Sequence, residues 1–177
     1  MEIQFEEGFS KCLNRTMSYK VFGHGGQLCF GFPPQNGRFY DLENFGIVDS
    51  LAPWLESGQL QLVCVDGVDA ETWSNQDGDP RKRIELQEQW YHYVVDELYP
   101  LMQKRNGSKR KAFAMGCSMG GMHAGIFFFR RPDLFGSMLS LSGLFDADYF
   151  FHGYMDDLVY DNSPIHFLRN MPADHPY

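Results

Sequence analysis

The hexapeptide Gly116-Cys117-Ser118-Met119-Gly120-Gly121 constrains this chain more than any other segment. Before it, Lys111–Met115 has strand character. After it, Met119–Arg130 reads as a helix, stopped by Arg131-Pro132. A chain that passes from strand to helix around a single residue must turn sharply. Glycines two positions to either side keep side chains out of the crowded turn, and the serine at its tip takes a strained backbone conformation with its hydroxyl exposed. In open α/β sheets that position, at the carboxyl end of a strand, is where ligands bind. The Met119 N–H points to the same spot from a helix N-terminus and can stabilise a developing oxyanion, helped by the helix dipole. Ser118 is therefore the candidate nucleophile and Met119 the first candidate oxyanion donor. A phosphate-binding loop does not fit, because no lysine follows in Walker spacing and the glycines fall in the wrong order.

The rest of the chain supplies a setting for this turn. Met17, Tyr19 and Val21 alternate with Ser18, Lys20 and Phe22, and Ile3 and Phe5 give a shorter version. Residues 2–8 and 16–23 are thus expected to be an antiparallel pair turned at Asn14-Arg15. The mostly apolar run 27–32 reads as a buried strand between glycines and Pro33-Pro34. Residues 43–56 have helical periodicity, with Pro53 as the expected point of division and Gly58 as a stop. Residues 59–65 form another buried strand, 66–80 a polar loop, and about 83–104 a helix with Tyr91, Val94, Val95, Leu98, Leu101 and Met102 on one face. A last strand spans 137–141. The order β-β-β-α-β-α-β-α-β predicts one α/β domain: a mainly parallel sheet of about six strands, helices on both faces, and an antiparallel N-terminal pair. Gly23–Gly26 is expected to be a tight hairpin turn.

Composition narrows the partners. Fifteen Lys and Arg against 23 Asp and Glu leave a formal charge of −8, which disfavours nucleic acid and anionic membrane surfaces. The basic cluster Arg81-Lys82-Arg83 reads as the solvated start of a helix. No apolar run approaches about 18 residues, so no membrane span is expected, and the acidic N-terminus does not read as a signal peptide. Four cysteines without a CxxC pair argue against zinc and dithiol chemistry. A reduced, cytoplasmic protein without metal or organic cofactor is the expectation.

The second oxyanion donor is expected from the loop after residues 27–32, Pro33-Pro34-Gln35-Asn36-Gly37. Proline has no N–H, so Gln35 is the first available donor and Asn36 the next.

Taken together, VFGHGG, FPPQNGRF, LVCVDGVDAETW, RNGSKRKAFAMGCSMGGMHA, LSLSGLFD and YDNSPIHFL resemble the esterase branch of the α/β-hydrolases that includes S-formylglutathione hydrolases, feruloyl esterases and acetyl-xylan esterases. GCSMGG is the specific core of the resemblance, which extends over essentially the whole chain. It implies a small-molecule ester substrate, Ser118 as nucleophile, Met119 and Gln35 as oxyanion donors, and Trp73 at the acyl or alcohol site.

A serine needs a base, and the base an orienting acid. In this fold the acid and then the histidine follow strands beyond 137–141. The residues after Gly143 hold no convincing strand, so the C-terminal strands and both partners are expected to lie outside this chain, which then reads as the N-terminal portion of a longer domain, with strands supplied by another chain as the alternative. Of the histidines within it, His152 and His175 are the candidates, and His123 is expected to point elsewhere. Asp146, Asp148, Asp156, Asp157 and Asp161 read as surface or capping residues. The rival readings are a non-catalytic or truncated module and an acyltransferase using the same serine. The bare strand edge left by missing strands would favour self-association.

Overall fold

The computed structural model of the chain describes residues 1–174. Six strands form one sheet in the order β1-β2-β4-β3-β5-β6. They are β1 (Ile3–Ser10), β2 (Arg15–Phe22), β3 (Gln27–Phe32), β4 (Leu60–Val65), β5 (Ala112–Cys117) and β6 (Phe135–Leu141). β1 and β2 are an antiparallel hairpin, β2 also runs antiparallel to β4, and the β4-β3-β5-β6 block is parallel. The carboxyl ends of β3, β4, β5 and β6 therefore share one edge of the sheet.

Helices cover both faces. On one lie α1 (Asp41–Asn44) and α2 (Ile47–Glu56), with Val48 and Leu55 meeting Phe22, Cys29, Leu62, Cys64 and Met115. On the other lie α3 (Pro80–His92), a π-helical turn (Tyr93–Leu98), α4 (Tyr99–Asn106) and α5 (Met119–Arg130). This second core is aromatic: Phe127 stacks between Phe32, 4.7 Å away, and Tyr91, 5.2 Å away. The Phe127-Phe128-Phe129 run is thus anchored in the core by its first ring. Beyond β6, among the described residues, come short helices, α6 (Asp148–Phe151), α7 (Asp157–Asp161) and α8 (Pro164–Phe167), and a 3₁₀ turn.

Several local expectations change. The helix expected over 43–56 breaks at Gly46, which adopts φ 74°, while Pro53 lies inside α2. The 83–104 helix starts earlier, at Pro80, where the Asp79 side chain accepts from Lys82 N–H. It widens into the π-helical turn ahead of Pro100, a residue that cannot donate to the preceding turn. Gly23–Gly26 is no hairpin, because β4 lies between β2 and β3. The segment crosses the start of β4 so closely that a Cβ on Gly26 would sit 2.2 Å from the Gln59 carbonyl carbon. Arg83 is not solvated but buried, donating to the carbonyls of Thr72, Trp73 and Phe150.

Candidate active site

Ser118 stands between β5 and α5 with φ 54° and ψ −120°. This region is sparsely populated for residues with a Cβ, and holding a residue there costs of order 1–3 kcal/mol. The neighbours that impose it are visible. Ser118 N–H donates to Leu141 O at 2.8 Å, and Met122 N–H donates to Ser118 O at 3.1 Å. A Cβ on Gly116 would lie 2.3 Å from the Gly120 carbonyl carbon, and one on Gly120 would lie 2.2 Å from Phe32 O. Strand end, helix start and the end of β3 thus meet at backbone contact, and only glycine fits at these positions. The Ser118 side chain is exposed at the carboxyl edge and makes no cap hydrogen bond. Met119 is the first residue of α5, so its N–H has no partner within the helix.

The loop after β3 is fixed from two directions. Asp66, immediately after β4, accepts from Arg38 Nε at 2.7 Å and Phe39 N–H at 3.2 Å. Gln35 donates through Nε2 to Ser74 Oγ at 2.7 Å. Pro33 O lies 2.5 Å from where a Gly120 Cβ would be, so this loop starts against the first turn of α5. Gln35 and Asn36 are both exposed, and Asn36 has φ 60°.

Trp73 sits elsewhere than expected. It is fully buried, edge-on to Phe150 and Phe151 at 5.4 and 5.5 Å, so its ring faces the core and offers no surface to a substrate. The polar loop around it folds inward because Arg83 ties down its carbonyls.

Of the five described histidines, four have side-chain partners other than Ser118, and His24 lies exposed between β2 and β3. His92 meets Asp96 at 2.7 Å, His152 meets Gln76 at 2.8 Å, and His166 meets Ser163 Oγ at 2.7 Å. His123 Nε2 lies 3.0 Å from Asp69 Oδ1, with both side chains 2% exposed. His175 lies outside the described residues. Asp156 caps α7 and also accepts from Arg81 and Tyr154, while Asp148 accepts from Gly153 N–H. The cysteines are all free; burial pushes the thiols of Cys29 and Cys64 upward, so neither is poised as a thiolate. Among the described residues no cluster of three or more His, Cys, Asp or Glu is set to hold a metal ion, and no helix is long and apolar enough to cross a membrane.

What the sequence motif could not show is the His123–Asp69 pair. Its partners are 54 positions apart, and the only local signal was a histidine on an otherwise apolar helix.

A parallel block with helices on both faces and a strained, exposed serine at a strand-to-helix turn defines the α/β-hydrolase class. Solved structures agree on the fold. A ferulic acid esterase matches with TM-score 0.72 at 17% identity, covering 98% of this chain and 73% of its own. A fluorophosphonate-binding serine hydrolase of Staphylococcus aureus matches with TM-score 0.73 at 14% identity, covering 98% and 74%. An S-formylglutathione hydrolase from Agrobacterium tumefaciens matches with TM-score 0.68 at 17% identity, covering 91% and 68%. Among curated proteins none matches at a significant level. The model of the family described as "Putative esterase" matches residues 36–170, and the chain belongs to that family. By class it is a carboxylic-ester hydrolase.

Proposed function

We propose that this chain carries the nucleophile and oxyanion elements of a serine esterase that works through an acyl-enzyme on Ser118. The carrying observation is the exposed Ser118 held at φ 54°, with the Met119 N–H at the first position of α5 beside it. Ser118 Oγ attacks the ester carbonyl, the N–H groups of Met119 and Gln35 hold the oxyanion, the alcohol leaves, and water releases the acid. No residue of the site requires a metal or organic cofactor for this chemistry.

The base, on this reading, comes from outside the 177 residues. Two observations support it. Four of the five described histidines have partners other than Ser118, and β6 ends the sheet with Leu139 and Leu141 exposed at 41% and 44%, a surface on which further strands can pair. The same reading makes the chain the larger, N-terminal part of one domain, working in a reducing, cytoplasmic setting, where free thiols persist.

Treatment with a fluorophosphonate, followed by intact mass and peptide mapping, tests the assignment. The expected result is an unlabelled 20.4 kDa chain and, in the longer protein, an adduct on Ser118; a labelled 20.4 kDa chain overturns the external base. A label on another residue, or a Ser118→Ala variant that labels equally, overturns the assignment. A chain that labels only after the longer protein is expressed places the base there, and one that never labels is a non-catalytic module.

A further inference from the structure

The strongest cluster of titratable groups outside the serine turn is the buried His123–Asp69 pair. His123 lies on the inner face of α5, one turn beyond Ser118, and Asp69 lies in the loop after β4. The imidazole lies among three of the segments around the site. Its ring centroid is 6.3 Å from Phe32, the last residue before the Pro33–Gly37 loop, 6.3 Å from Trp73 in the loop after β4, and 4.7 Å from Trp90 of α3. Trp90 in turn donates to Asp66 O at 2.8 Å. Asp69 also organises its own loop through its backbone, its carbonyl accepting from Thr72 and Ser74 N–H at 3.2 and 2.9 Å.

Asp69 Oδ2 and both ends of the loop after β3 lie around Gly67. A Cβ built on Gly67 would lie 3.9 Å from Asp69 Oδ2, 3.7 Å from Pro33 Cγ and 3.4 Å from Gly37 O. Asp69, Gly67 and the two ends of that loop therefore share one small space. Ser74, whose N–H Asp69 holds, is the residue that receives the Gln35 side chain.

We propose that His123 and Asp69 are positioning residues, and that their contact keeps the Gln35 N–H in register with the Met119 N–H by locking the loop after β4 onto the serine-bearing helix. The route runs from α5 through His123 to Asp69, from Asp69 to Ser74, and from Ser74 to Gln35. Its catalytic meaning rests on the esterase reading; the mechanical coupling does not. Misplacing an oxyanion donor by about 1 Å costs on the order of 100-fold in rate, so a slack loop is costly even with Ser118 untouched.

The test combines amide hydrogen exchange with fluorophosphonate labelling in Asp69→Ala, Asp69→Asn and Ser74→Ala, using whichever form, this chain or the longer protein, labels as wild type. Asp69→Ala is expected to speed exchange in peptides spanning 33–38 and 66–76 by about tenfold or more and to slow labelling of Ser118 by at least about tenfold. Asp69→Asn keeps an oxygen that can accept from His123 Nε2–H, and both values are expected to return to within about threefold of wild type. Ser74→Ala, outside the core, is expected to loosen 33–38 while leaving α5 unchanged, and it decides the matter if Asp69→Ala fails to fold. Unchanged exchange at 33–38 in Ser74→Ala, or no rescue by Asp69→Asn, overturns the coupling. A wild type that never labels removes the esterase reading, and exchange at 33–38 then decides the coupling by itself.

Discussion

The amide of Ser118 donates to the carbonyl of Leu141 at 2.8 Å, so the serine is held by the neighbouring strand as well as by its own helix. The strain at φ 54° is thus maintained by β6 and α5 together. Removing the hydroxyl leaves this backbone frame intact. Ser118→Ala is expected to lose fluorophosphonate labelling and ester turnover completely while its melting temperature stays within a few degrees of wild type. Circular dichroism melts beside labelling gels check both halves.

Gly120 is the tightest point of the turn, since a Cβ there would lie 2.2 Å from Phe32 O and 2.5 Å from Pro33 O. Backbone cannot yield as a flexible side chain does. Gly120→Ala is expected to destabilise the fold by about 3 kcal/mol or more, near 6–12 °C in melting temperature for a chain of this size. Gly8→Ala, at a position with nothing within 4 Å, is the control and should change little. Parallel thermal melts settle the comparison.

The donor assigned to Gln35 is its backbone N–H, which separates it from its side chain. Gln35→Pro removes the N–H and should lower kcat by about 10²–10³. Gln35→Ala keeps the N–H and breaks only the contact with Ser74 Oγ, so its loss should be smaller. Equal losses in steady-state ester hydrolysis would transfer the role to the side chain.

Glu88 provides a pH signature away from the site. Burial raises its carboxyl, but the hydrogen bonds from Arg130 and Asn162 and the Arg130 charge outweigh that effect and hold it below its ordinary value of 4.5. A carboxyl depressed in the folded state contributes stability above its unfolded value, and that contribution fades as pH falls through the folded one. The melting-temperature gap between wild type and Glu88→Gln should be widest near neutrality and close progressively below pH 4.5. Arg130→Ala, which removes the cation paired with half-buried Glu88 and vacates the face of Tyr91, should cost about 3 kcal/mol.

The edge strand β6 leaves Leu139 and Leu141 uncovered next to an open row of backbone groups. The isolated 177-residue chain is therefore expected to self-associate at micromolar concentration, and Leu139→Lys should shift it toward monomer. Sedimentation velocity on the two proteins reads this directly.

What the sequence by itself determined was local. β3 spans 27–32 and α5 spans 119–130 as their residue patterns require, and the serine turn is complete within six contiguous residues. The boundaries of β3, α5 and the turn depend on glycines, prolines and apolar runs that act on their immediate neighbours, so no distant contact is needed to place them. The tertiary structure decided matters of facing and partnership. Trp73 belongs to a polar loop, and the family resemblance implied a site role for it with core packing as the alternative, yet Arg83, ten positions away, pins that loop inward and buries the ring. Gly23–Gly26 looks like a hairpin until β4 is inserted between the strands it joins. His123 and Asp69 become a pair only when the loop after β4 folds against α5, which itself packs on β5, β6 and β3. Each of these outcomes depends on which surfaces meet after the sheet has assembled, and periodicity along the chain carries no record of that order.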